Sequence, residues 1–326
     1  MRRRVCMRGL CGLGTAAAMW PARTWPQTSA RRKIGYLHPR TIAASHPTLA
    51  ALRGAWQRLG YVEGESILLR AANDDPQRVP GLAQELVQQG AGVLIVVGAQ
   101  TVRQVSHALP GTPIVAIDLE TDPVRAGFAT SLARPGGHVT GLFLDMPSLA
   151  GKWIDLLREA APGIERMALS WDHSTGADQL DVAKRVAQEK GFDAVVLELN
   201  LVRDFEAALK PLSGKPRTGI VQLSSPGFVV VAQAFAAAAR RYSLPTIAFL
   251  KAYARVGVLM TYGPDQEQYF PRAVVLADRI LKGDSAAELP IEGPDRFELA
   301  INLQTAKALG LTVPQTLRLR ADELIE

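Results

Sequence analysis

The sequence predicts an α/β protein of two doubly wound units in series, and three observations carry that prediction. Short β-branched runs recur, each bounded by Gly, Pro or polar residues: Lys33-Ile-Gly-Tyr-Leu37, Ser66-Ile-Leu-Leu-Arg70, Val93-Leu-Ile-Val-Val97 and Pro113-Ile-Val-Ala-Ile117. Continuous apolar strands of this kind suit a parallel sheet covered on both faces. The segments between them have helical spacing, as in Val79, Leu82, Leu86 and Val87 before a terminating Gly90. The same alternation then begins again after Gly141, which makes two units rather than one.

In the second unit Trp153 to Leu157 sits in a helix stopped by Pro162-Gly163. There follow strands at Arg166–Ser170, Asp193–Leu197, Gly219–Leu223 and Pro245–Phe249, with helices near 178–190, 203–210 and 228–241. The tail changes character. Val256–Thr261 reads as a strand, Asp265 onward as a helix to Lys282-Gly283, Glu298–Asn302 as a strand, and Thr305–Leu309 as a helix closed by Gly310. Proline inside a helix costs about 3 kcal/mol, so Pro271 predicts that the long helix begins near Tyr269.

The first 29 residues carry five arginines, no acid and an apolar, small-residue run from Gly9 to Trp20. That layout is an export signal, its apolar run too short for the roughly 20 residues of a membrane anchor. Arg2-Arg3-Arg4 suggests the twin-arginine route, and Cys11 follows a poor lipobox. Without the leader the formal charge of +6 falls to +1. The basic balance therefore belongs to the leader, and a nucleic-acid partner is not expected. Both cysteines, Cys6 and Cys11, also lie there, so the exported chain has no thiol for catalysis or cross-linking. The expected product is a soluble two-domain protein.

No motif for chemistry survives inspection. Gly12-Leu-Gly14 lies in the leader with no strand before it, and neither Gly151-Lys152 nor Gly214-Lys215 completes a phosphate-binding loop. Leu223-Ser-Ser-Pro-Gly227 lacks the first glycine of a nucleophile elbow. His38, His46, His107, His138 and His173 are scattered, so neither a metal nor a cofactor is expected. Asp74-Asp75 reads as the start of the following helix.

The segment Asp122-Pro-Val-Arg-Ala-Gly-Phe-Ala-Thr-Ser-Leu-Ala-Arg-Pro-Gly-Gly-His-Val-Thr-Gly141 is similar to "DPV…G…SLARPGGNVTG" of exported ABC transporter substrate-binding proteins, the group that includes the tryptophan/tyrosine-type components. Further matches are Leu59–Gly64, Gly151–Leu157, Tyr262–Asp265, Arg279–Gly283, Phe297–Leu303, Ala306–Pro314 and the ending Arg320–Glu326. The resemblance implies a type I periplasmic-binding-protein fold: two doubly wound, Rossmann-like domains joined by a three-crossing hinge. It implies an export signal at 1–29, a first domain of 30–141 plus 262–296, and a second of 142–261 plus 297–326. On this reading Arg134-Pro-Gly-Gly137 is a turn whose two glycines aim Val139–Phe143 across to the second domain, with the other crossings near Tyr262 and Phe297. The implied activity is capture of a small solute in the periplasm by hinge closure, and delivery to a membrane permease. No enzymatic step is implied. A ligand sensor that presents its closed form to a membrane signalling receptor is the alternative, and an enzyme on the same scaffold a third.

Ligands of open α/β sheets bind beyond the carboxyl ends of the strands, which picks out candidate contacts from position alone. In the first unit these are Ser45 and His46, then Ala99, Gln100 and Thr101, then Asp118 to Asp122, with Asp118 and Asp122 foremost. Thr101 opens a helix, so it either meets a ligand carboxylate or merely caps. In the second unit they are Trp171, Asp172 and Ser174, then Ser224, Ser225 and Phe228, then Lys251 and Tyr253. Trp171 is placed to stack on a ligand ring. Amino-acid-binding relatives lead one to expect an acid after the strand ending at Leu223, where this chain has Ser224-Ser225-Pro226. Asp172 or Asp122 could hold an ammonium group instead, Lys251 and Arg40 could pair with an acid, and the ligand stays open among amino acids, aromatic acids and other small organic solutes.

Overall fold

The structure, a computed structural model, describes residues 33–41, 47–144, 146–199, 205–214, 216–225 and 227–326. The leader lies outside them. Residues 31–326 form one compact unit built on two sheets.

The first sheet comes from the first half of the chain. In order the elements are β1 (Lys33–His38), α1 (Pro47–Arg58), β2 (Ile67–Ala71), α2 (Val79–Gln88), β3 (Ala91–Val97), α3 (Ala99–Ala108), β4 (Ile114–Ile117) and β5 (Val139–Leu142). The strands pair in the order β2-β1-β3-β4-β5, all parallel. Their near-continuous apolar runs are buried because helices cover both faces, as the sequence predicts.

The second half gives α4 (Met146–Ala160), β6 (Arg166–Trp171), α5 (Asp178–Glu189), β7 (Asp193–Glu198), α6 (Phe205–Leu209), β8 (Thr218–Gln222), α7 (Phe228–Arg241), β9 (Thr246–Ala248), α8 (Lys251–Arg255) and β10 (Met260–Pro264). The tail gives α9 (Gln266–Tyr269), α10 (Pro271–Leu281), β11 (Phe297–Asn302), α11 (Leu303–Ala308), α12 (Gln315–Arg320) and β12 (Glu323–Ile325). The second sheet runs β12-β11-β10-β9-β8-β6-β7. Among the described strands only β10 and β11 pair antiparallel. Between them the chain returns to the first sheet, where α10 packs against α1 and β3, so no right-handed helical crossover dictates a parallel partner.

Three local expectations need correction. The strand near 256–261 starts only at Met260, because its register is set by β11, from Met260 opposite Ile301 to Pro264 opposite Phe297. The helix after Asp265 is two helices, with Pro271 in the first turn of α10, where a missing N–H costs nothing. Val139–Phe143 does not cross to the second sheet. Val139 to Leu142 pair with Ile114 to Ile117 as the last strand of the first, and the crossing begins only beyond Leu144.

The Arg134–Gly137 turn instead folds back on its own lobe: Thr130 N–H donates to Pro135 O (2.9 Å) and Gly136 N–H to Ala287 O (3.0 Å). Gly136 has φ +75°, whereas Gly137 lies outside the left-handed region and a Cβ there would meet only Phe128 O at 3.6 Å. The turn thus requires one glycine, not two. The stricter requirement is Gly141, at φ +142° in β5, where a Cβ would stand 2.1 Å from Ala116 O of β4.

The crossings are held by buried polar ties. Trp153, fully buried on α4, donates its indole N–H to Tyr262 O of β10 (2.7 Å), and the Tyr269 hydroxyl donates to Phe143 O (2.8 Å) and Glu292 O (3.2 Å). The Tyr269 hydroxyl thus ties the segment after β5 to the segment before β11, and Trp153 ties α4 to β10. Gly141→Ala is expected to lower folding stability by about 3 kcal/mol or more through strand separation, and Gly137→Ala by under about 1 kcal/mol. Urea unfolding of the two variants checks the asymmetry, and equal losses would contradict it.

Candidate ligand-binding cleft

The carboxyl ends of the strands of both sheets meet at one cleft. From the first sheet come His38 at the end of β1, Val97 at the end of β3, and Ile117, Leu119 and Glu120 at and beyond the end of β4; from the second come Leu223 to Ser225 after β8, and Phe249 and Leu250 after β9. They line a cavity of about 50 Å³. Its wall is largely aromatic and aliphatic, with Phe228, Phe249, Tyr253 and Phe270 beside Val97, Ile117, Leu119 and Leu223. Phe228 and Tyr253 meet edge to face at 5.0 Å, the arrangement that ring quadrupoles favour.

One carboxylate enters this cavity. Glu120 is 3% exposed, accepts a hydrogen bond on Oε1 from the Ser224 hydroxyl of the opposite lobe (2.8 Å), and has no hydrogen-bond partner on Oε2 among the described residues. Its position is set by Asp118, whose Oδ1 accepts the N–H groups of Glu120 and Thr121 (both 3.1 Å) and turns the chain inward after β4. Desolvation and then the neighbouring Asp118 carboxylate push Glu120 up to about 8, against the Ser224 hydrogen bond. Burial likewise raises Asp118, to about 6, against the hydrogen bonds it accepts. A buried carboxyl with an open lone pair in an apolar cavity is a receptor for a positive charge or a hydrogen-bond donor.

A second interlobe contact flanks the cavity. Arg40 donates to Asp172 Oδ2 (2.9 Å) and to Asp74 Oδ1 (2.7 Å), and the Ser225 hydroxyl also donates to Asp172 Oδ2 (2.7 Å). Beyond this network lies a further cavity of about 280 Å³.

The sequence-derived candidates divide among these places. Ser224, Ser225 and Phe228 line the aromatic cavity, and Asp118 supports it from behind. Ala99, Gln100 and Thr101 line the further cavity; Ser174 lies in the short turn His173–Thr175, whose flanking residues line it too. Asp172 is the interlobe ion-pair partner and does not line the aromatic cavity. Asp122 is exposed; its Oδ1 caps Val124 N–H (2.9 Å) and Arg125 N–H (3.1 Å) at the cleft mouth. Lys251 pairs with Glu298 of β11 (2.8 Å), tying α8 to the hinge strand. Trp171 spends its indole N–H on Gly176 O (2.8 Å) and is not among the residues of the aromatic cavity. Ser45 and His46 lie outside the described residues. Among the cavity residues that sequence reasoning did not single out are Glu120, His38, Phe249 and Phe270, although Glu120 fell inside the segment 118–122.

Comparison with known proteins bears on this cleft. A family profile described as ABC transporter substrate binding protein matches residues 42–325. The chain is 26% identical over 280 residues to a tyrosine-binding protein of Clostridioides difficile (strain R20291), covering 82% of this chain and 78% of that one. Its fold matches that of an ABC domain from Streptococcus pneumonia in complex with L-Trp, with TM-score 0.80 and 19% identity, over 91% of this chain and 100% of that one. A ligand-free, open substrate-binding protein with adhesive properties from Clostridium difficile gives TM-score 0.63 and 21% identity, over 90% and 99%. Among the described residues no helix is long and apolar enough to cross a membrane.

The Arg40–Asp172 pair and the Ser224–Glu120 bond connect the lobes directly, and an opened cleft would return these groups to water. Asp172→Asn should therefore shift the closure equilibrium rather than unfold the protein. Small-angle scattering of the unliganded variant should show a larger radius of gyration with little change in Tm. An unchanged radius would mean that this pair does not hold the lobes together.

Proposed function

Because the chain belongs to the ABC transporter substrate-binding protein family, we propose that it is the exported receptor that captures a small aromatic or apolar amine, an amino acid foremost, in the periplasm and passes it to a membrane permease without altering it. The observation that carries the ligand class is the open Oε2 of buried Glu120 inside an aromatic wall. An ammonium group satisfies that oxygen, and aromatic faces around it favour a cation and an apolar body alike. The printed ligands of the relatives, tyrosine and L-Trp, agree with this chemistry. On this reading the lobes are 30–141 with 262–296 and 142–261 with 297–326, and closure brings Ser224 of the second onto Glu120 of the first. The missing acid after β8 is then no obstacle, since the charge comes from across the cleft. The 1–29 leader would direct export.

Titration calorimetry with L-tyrosine and L-tryptophan tests the reading. Glu120→Gln should weaken binding by about a hundredfold or more, since it leaves a buried ammonium without its counter-charge. Wild-type affinity in that variant would dismiss Glu120 as the ligand's partner.

A pH dependence follows. Glu120 titrates above its ordinary 4.5, at about 8, so its neutral form stabilises the unliganded fold below the ordinary value and that contribution is lost as pH rises toward 8. An ammonium ligand favours the charged form. Affinity should therefore increase from pH 6 to 8 with proton release, seen as a binding enthalpy that depends on the ionisation enthalpy of the buffer; no buffer dependence at pH 6.5 would contradict it.

A further inference from the structure

Gln179, in the first turn of α5, is fully buried beside the apolar Leu180, Val182, Ala183 and Ala187 of the same helix. Its amide is used one-sidedly. Nε2 donates to Thr175 Oγ1 (2.8 Å) and to Ser224 O (2.7 Å), whereas Oε1 has no partner among the described residues. The neighbours fix this orientation. Ser224 O can only accept, and Thr175 Oγ1 gives its own hydrogen to Asp172 O (2.8 Å), so both present lone pairs to the amide. Turning the amide over would set Oε1 against two acceptors. The unmet oxygen is therefore the consequence of having both amide hydrogens in use, and an apolar side chain kept only for packing would carry no such cost.

The two groups that Nε2 holds belong to the loops that make the interlobe contacts. Thr175 is tied to Asp172 O, in the loop after β6, through its N–H (3.0 Å) and its hydroxyl, and Asp172 receives Arg40 of the first lobe. Ser224, in the loop after β8, sends its hydroxyl to Glu120 Oε1 (2.8 Å). We infer that Gln179 is a positioning residue for capture: its amide clamps the loops after β6 and β8 to each other and thereby holds the Ser224 hydroxyl on Glu120. What is captured rests on the proposed function, whereas the clamp itself needs no ligand. The Ser224 hydrogen bond favours the charged form of Glu120, against burial and the Asp118 and Asp172 carboxylates. A slackened clamp therefore raises the pH at which Glu120 ionises, with Asp118, Asp172 and the cavity neighbours His38 and Tyr253 unchanged.

Carboxyl-carbon NMR of protein labelled at glutamate, without added ligand, reads that midpoint, the Glu120 signal being assigned by its loss in Glu120→Gln. The proteins compared are wild type, Ser224→Ala, Gln179→Met, which keeps the length of the side chain but has no donor, and the double variant. Ser224→Ala should raise the midpoint, Gln179→Met should raise it by most of the same amount, and the double variant should go no further than Ser224→Ala alone. An unchanged midpoint in Gln179→Met overturns the clamp. So does a double variant whose shift is the sum of the two, since Gln179 would then act on Glu120 without Ser224. If Gln179→Met does not fold, Gln179→Asn, an amide one methylene too short to span both loops, decides by the same criteria. In calorimetry with L-tyrosine, Gln179→Met should bind about tenfold more weakly, like Ser224→Ala, as for loss of a hydrogen bond to a charged group. Wild-type affinity there, alongside lost binding in Glu120→Gln, overturns the positioning role and leaves the ligand class standing. Wild-type binding in Glu120→Gln fails the ammonium reading instead, and the NMR midpoints alone then decide on Gln179.

Discussion

The arrangement of the cleft depends on one constraint, the burial of the Glu120 carboxyl with only half of its hydrogen-bonding capacity met. Ser224 from the other lobe meets one oxygen, and among the described residues the second has no partner. A carboxyl in that setting prefers to be neutral, and both desolvation and Asp118 push it that way. Anything that supplies a positive charge at the open oxygen relieves the strain of both carboxyls together. The Asp118 turn, the aromatic wall and the lobe contact are the means by which the chain keeps that group in place and dry.

The proposed closure has its pivot in the hydrogen bonds of the segments between the two sheets. Trp153 donates its indole N–H to Tyr262 O and Tyr269 its hydroxyl to Phe143 O, and Arg272 grips Glu292 through two 2.7 Å bonds. The pivot is thus stiff in its hydrogen bonding, while the side-chain hydrogen bonds across the cleft among the described residues include the Arg40–Asp172 and Ser224–Glu120 contacts. Such polar contacts exchange with water at small net cost, which suits the proposed opening and closing.

Much of the fold was legible because parallel strands buried on both faces leave continuous apolar runs, and β1, β3, β4, β6 and β8 all declare themselves in that way. What could not be read was register and destination. Nothing local says that Val139–Leu142 pairs with β4 rather than crossing, since that pairing depends on the glycine at 141 fitting against Ala116. The site was legible in position but not in direction. Sequence placed acids at 118, 120 and 122 beyond β4, yet which one enters the cavity depends on the Asp118 turn: Glu120 goes in, while Asp122 caps Val124 and Arg125 outside. Phe270 comes from a segment about 150 residues downstream, and Trp171, exposed by its place in the sequence, is anchored to Gly176 by a loop that no periodicity reveals.

The chemistry of the cavity is divided between the lobes, and the division explains how a ligand could select the closed form. The first lobe brings the charge, on Glu120, with an aliphatic floor from Val97, Ile117 and Leu119; the second brings Ser224 and the rings of Phe228, Phe249 and Tyr253. A cation without an apolar body satisfies Glu120 yet gains little from the second lobe, and an apolar molecule without a cation leaves the carboxyl as it was. Only a molecule with both interacts more strongly with the closed arrangement than with either open face. That difference is the quantity that shifts the population. On the proposed reading, selectivity for an amine with an aromatic or apolar body would therefore arise from the closure equilibrium itself, without a separate rejecting contact.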